Sequence, residues 1–67
     1  MVEYGVREAV LVKRDGGSIW HVTFAPLHGA EGEEIMVEVS RARLEQMSFA
    51  APYTPDEIEA LGEIDHA

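Results

Sequence analysis

Sixty-seven residues without a cysteine, carrying a formal charge of −8, make one domain near the lower limit of what folds without a staple. The missing cysteine excludes disulfides, thiolate zinc sites and cysteine nucleophiles. Thirteen acids against five bases disfavour direct binding to nucleic acid or an anionic membrane, both of which require clustered Lys and Arg.

A hydrophobic content of 46% is too high for a disordered chain. At this size apolar burial and chain entropy nearly cancel. Two outcomes follow, an economical monomer or a dimer that completes its core across an interface. The opening MVEYGVREAV carries Glu3 and Glu8 and does not read as a signal peptide. No apolar run approaches the ~20 residues that span a bilayer. The expectation is a soluble, cytoplasmic protein.

Val6–Arg14 reads as a first strand with Val6, Val10 and Val12 on one face. Ser18–Ala25 alternates more clearly, with Trp20, Val22 and Phe24 on one side and Ile19, His21 and Thr23 on the other. Between them Asp15-Gly16-Gly17 reads as a three-residue hairpin loop with Gly17 in the left-handed position. That register pairs Arg14 with Ser18, Val12 with Trp20 and Val10 with Val22. A two-residue loop would put the valines and the Trp20 series on opposite faces, so the apolar pattern favours three.

Ala25–Gly32 reads as a loop from its proline and two glycines. Glu33–Val39 forms a third strand, with Ile35, Val37 and Val39 inward and Glu34, Met36 and Glu38 outward. A connection this short suits an antiparallel return. Ser40 caps a helix running to Met47 or Ser48, with Ala42, Leu44 and Met47 as its apolar stripe. Arg41 and Arg43 fall in its first turn, where the dipole disfavours cations. They either pair with nearby carboxylates or form a basic spot for an anion.

Thr54-Pro55-Asp56-Glu57 is a capping box with proline at the first helical position, and Tyr53 and Ile58 are placed as a hydrophobic staple. Gly62 is expected to end that helix, with Ile58, Leu61 and Ile64 docking on the sheet. The predicted fold is a single α+β domain over residues 1–67: a three-stranded antiparallel sheet in sequence order, followed by two short helices.

Motifs for chemistry are missing. His21, His28 and His66 show no HxH, HExxH or i, i+4 spacing. His21 reads as an exposed strand residue, His28 as a loop residue and His66 as mobile. Paired carboxylates need a partly desolvated pocket to separate their pKa values, and a fold this small offers little volume for one. Ser18, Ser40 and Ser48 lack a GxSxG setting. No enzyme, cofactor or metal site is expected. Trp20 reads as the largest core side chain or, if its face is uncovered, as an interface anchor. The opposite face, with Leu11, Ile19 and Met36, is the candidate for a dimer or partner contact.

The charge is unevenly placed. Residues 1–43 hold all five bases and seven acids; residues 44–67 hold six acids and no base. The candidate partner-binding residues are therefore Glu45, Asp56, Glu57, Glu59, Glu63 and Asp65, together with Glu31, Glu33 and Glu34. Like-signed carboxylates on one surface steer a basic partner and repel nucleic acid. Basic grooves are commonly built for nucleic acid, so the expected function is a non-enzymatic inhibitor or nucleic-acid mimic. In size and charge the chain resembles small phage-encoded inhibitors of host defence, such as anti-CRISPR proteins. The competing expectation is a homodimeric structural or accessory subunit whose acids only keep it soluble. A small metal- or ligand-binding module around His21 and His28 is the third.

Overall fold

The alternating segments pair as strands, and the two capped segments coil behind them. The computed structural model describes residues 2–50 and 52–65, with the backbone alone at 63–65. The elements in order are β1 (Tyr4–Arg14), β2 (Gly17–Pro26), β3 (Ile35–Val39), α1 (Arg41–Gln46) and α2 (Pro55–Asp65). The sheet is antiparallel in the order β1-β2-β3, which is the expected α+β arrangement. An eleven-residue strand at ~3.3 Å per residue accounts for a long axis of 38 Å against 19 and 18 Å for the others.

The hairpin register differs by one residue from the expected one. Arg14 pairs with Gly17, Val12 with Ile19, Leu11 with Trp20 and Val10 with His21. The loop therefore has two residues, Asp15 and Gly16, and Gly16 takes a φ of 87° that L side chains resist. A β-bulge between Val6 and Glu8 resolves the conflict that the apolar pattern raised. The extra residue, Arg7, shifts the phase of β1, so Val6 shares its face with Ala9 and Leu11. Val10 and Val12 lie on the other face with Ile19 and His21.

The inner face is the core face. Tyr4, Val22, Phe24, Val39 and Ile58 are buried. Val6, Ala9, Trp20, Ile35, Val37, Leu44, Met47, Tyr53 and Leu61 pack around them half-buried. Trp20 thus belongs to the core with Val22 and Phe24, as expected, but without Val10 and Val12. The Phe24 and Tyr53 rings meet edge to face at 5.3 Å. Full burial of Phe24 or Ile58 contributes about 1.5–3 kcal/mol of apolar transfer each.

Both helices supply side chains to this face. Ser40 caps α1 by accepting from the Arg43 N–H at 3.1 Å. The helix ends at Gln46, short of the expected Met47 or Ser48, and Ala42 is exposed, leaving Leu44 and Met47 as its stripe. Helix α2 does not stop at Gly62 but continues to Asp65. A Cβ at Gly62 would lie 3.6 Å from the Val37 Cβ, so α2 packs beside β3 at this glycine. The expected contact of Ile64 and the placement of His66 lie outside the described residues.

Candidate partner-binding surface

The start of α2 is built by its own sequence. The Thr54 N–H donates to Glu57 Oε1 at 2.8 Å, and the Glu57 N–H donates to Thr54 Oγ1 at 3.3 Å, the reciprocal pair of a capping box. Tyr53 ties this start to the sheet. Its N–H donates to the Tyr4 carbonyl at 2.8 Å and its carbonyl accepts from the Tyr4 N–H at 2.8 Å. The Tyr53 hydroxyl accepts from the Ser48 N–H at 2.9 Å. Asp56 and Glu57 then occupy the first turn, where the helix dipole favours carboxylates.

The second acidic segment is the β2–β3 connection. His28 and Gly29 have φ of 59° and 71°, and the Ala30 N–H donates to the Leu27 carbonyl at 3.1 Å. This is the pattern of a type I′ turn. His28 Nε2 lies 3.7 Å from Glu3 Oε1. Glu31 and Glu33 follow, both exposed. Gly32 between them sits against Tyr4, whose Oη lies 3.2 Å from the position of an added Cβ. Tyr4 therefore touches both acidic segments, the loop through its hydroxyl and the start of α2 through its backbone.

The nine candidate carboxylates do not form one surface. Glu31, Glu33, Asp56 and Glu59 are exposed and enter none of the described ion pairs. Glu57 is held by its cap. Glu34 pairs with Arg7 on the bulge of β1. Glu45 pairs with Arg41 at 3.3 Å, both largely exposed, and stands apart on α1. This i, i+4 pair places Arg41 in the ion-pair role rather than in a basic spot for an anion. The side chains of Glu63 and Asp65 lie outside the described residues.

A cleft of about 360 Å³ opens between the hairpin and α1, lined by Leu11, Ser18, Trp20, Arg41, Leu44 and Glu45. The expectation of little pocket volume thus needs correction, since this is within the size range of ligand sites. Its single carboxylate, Glu45, is already paired, so the cleft does not hold two carboxylates with separated pKa values.

The other sheet face carries a charge network. Opposite one another in the β2–β3 register, His21 Nε2 and Glu38 Oε2 lie 2.8 Å apart. Arg14 Nη2 reaches both, at 3.2 Å from His21 and in direct contact with Glu38. Partial burial raises the Glu38 pKa, but the hydrogen bond with His21 and the charge of Arg14 outweigh it and hold the carboxyl below its ordinary value. His21 is accordingly a half-buried, partnered residue and not the exposed one expected. Leu11 is also reassigned. It lies on the inner face opposite Trp20, so Ile19 and Met36 remain on the outer face without it. Among the described residues no group of three or more His, Asp or Glu is placed to hold a metal ion, and no helix is long and apolar enough to cross a membrane. No protein family, curated protein or solved structure matches this chain.

Proposed function

We propose that the protein is a non-enzymatic binding module that presents its acidic side to a basic surface on a protein partner. In the finer form of this reading it is an inhibitor that occupies a nucleic-acid-binding groove. One observation carries it. The described arginine pairs consume Glu34, Glu38 and Glu45, while Glu31, Glu33, Asp56 and Glu59 remain exposed without a described counter-charge. Carboxylates spent on ion pairs are unavailable to a partner; these four are open. The two segments that bear them both abut Tyr4, so a rigid core sets their spacing, and a preorganised charge array loses less entropy on binding than a loose tail.

Reversing Glu31, Glu33 and Glu59 together to lysine tests the proposal. All three are exposed and none belongs to the capping box, so the fold is retained. The immobilised protein is expected to capture basic nucleic-acid-binding proteins from a cell lysate. Capture should weaken with added salt, since the attraction is screened over ~8 Å at physiological ionic strength, and competing duplex DNA should release the captured proteins. Equal capture by the triple variant would show that these carboxylates only keep the protein soluble.

A further inference from the structure

We infer that β1 pairs edge to edge with β1 of a second copy of this chain, around a two-fold axis at Leu11, to make a six-stranded antiparallel sheet. The strand lies at the sheet edge. Among the described residues only Tyr53 pairs with its outer side, at Tyr4. The bulge after Val6 ends that neighbourhood, leaving Glu8–Arg14 as a seven-residue open edge. Such an edge is a template for another strand, and proteins commonly blunt it with lysine, proline, a bulge or a covering element. Within Glu8–Arg14 only Lys13, near the turn, is of that kind, and Val10 and Leu11 there are 48% and 47% exposed.

The register follows from two constraints. The pair that flanks a two-residue hairpin loop exchanges both backbone bonds, so Arg14, Val12 and Val10 turn their amides and carbonyls toward β2. Ala9, Leu11 and Lys13 turn theirs outward. Pairing two copies through outward groups requires odd residues opposite odd residues. With Leu11 opposite Leu11, Ala9 meets Lys13, and each of these pairs exchanges backbone hydrogen bonds. On the outer face Val10 then lies opposite Val12, and Glu8 lies opposite Arg14.

That register matches apolar with apolar and acid with base on both sides of the axis. Shifting the axis to Val10 keeps odd residues opposite odd but puts Glu8 opposite Val12 and Arg7 opposite Lys13, and shifting it to Val12 puts Val10 opposite Arg14 and Leu11 opposite Lys13. Shifting it to Ala9 puts Leu11 opposite Arg7 and Glu8 opposite Val10. Arg14 uses Nη2 for Glu38 and His21, and its remaining guanidinium donors face no described partner. The acids of α2 and of the β2–β3 connection are not part of this edge. A chain of net charge −8 thereby associates through a segment that holds Arg7, Lys13 and Arg14 against Glu8 alone.

Sedimentation of the full chain from nanomolar to high micromolar concentration, with amide hydrogen exchange at both ends of the range, decides the matter. A monomer–dimer equilibrium is expected. The amides of Ala9, Leu11 and Lys13 should gain protection only where the dimer is populated. Leu11→Lys puts two ammonium groups opposite each other at the axis, on a side chain already half exposed. It should weaken dimerisation by roughly tenfold or more, from like-charge opposition and the lost apolar pair. A chain that stays monomeric throughout overturns the inference. So does a dimer in which those three amides exchange freely, which would place the contact on the Ile19 and Met36 face instead. Should Leu11→Lys fail to fold, the wild-type amide pattern by itself distinguishes the edge-paired dimer from both of those outcomes.

Discussion

The two ends of the hairpin are made of the same kinds of residue and are held very differently. Near Tyr4 and Phe24 the sheet is overlaid by Tyr53 and Ile58, and four side chains there are wholly or almost wholly buried. Beyond Ala9 the same strand carries Val10 and Leu11 nearly half exposed, with only the short α1 nearby. Apolar composition alone therefore does not locate stability. What matters is which residues the second layer covers.

The largest contrast comes from truncating one residue at each end. Phe24→Ala removes a fully buried ring and its edge contact with Tyr53, and should cost about 3–5 kcal/mol, enough to unfold much of so small a domain. Val10→Ala should cost under ~0.5 kcal/mol, as for most exposed positions. Urea unfolding of both variants checks the difference. Comparable losses would mean that the far end of the hairpin is as well packed as the near end.

A smaller effect isolates the link between α2 and the sheet. Thr54→Ala removes the oxygen that accepts from Glu57 N–H and should cost about 1 kcal/mol. Thr54→Ser should restore most of it. The measurement is the thermal midpoint, joined by hydrogen exchange in α2. Unchanged stability would mean that the cap does not limit the docking of Ile58 and Leu61.

The legible parts of this fold are those written in adjacent residues. The capping box, the presence of a hairpin turn after Arg14 and the inward set of β3 each rest on a local rule, and each is observed, although that turn has two residues and not the expected three. The register of the hairpin was not legible, because it depends on the bulge at Arg7. Nothing in Val6-Arg7-Glu8 announces that insertion, yet it moves Val10 and Val12 out of the core. Gly62 misleads for a related reason. Taken alone a glycine reads as a helix stop, whereas here it lies within α2, buried beside Val37 of another element. Of the candidate acids, the sequence marks the exposed ones and also Glu34 and Glu45, whose partners are decided by tertiary neighbours and by helical spacing. The pairing of His21 with Glu38 was within reach, since both fall on the outward set of adjacent antiparallel strands.

That pairing supplies the finest test of the comparison, because it is the one charged anchor described as spanning all three strands on the uncovered face. The folded Glu38 carboxyl ionises more readily than the unfolded one, despite partial burial, owing to His21 and Arg14. Where a folded pKa is depressed, the unfolded chain binds the proton first as the pH falls. The stabilisation is therefore complete above the unfolded glutamate value of ~4.3. It declines below that value and is gone once the pH passes the folded value. Glu38→Gln should be less stable than the wild type at neutral pH, by a smaller margin than Thr54→Ala. The gap between the two proteins should close as the pH falls through that window, while their other carboxylates titrate in parallel. Thermal midpoints across the acid range read the gap directly. A constant difference from neutral to strongly acid conditions would mean that the charge of Glu38 is not what joins β1, β2 and β3 on this face, and that backbone pairing alone keeps the uncovered end of the sheet in register.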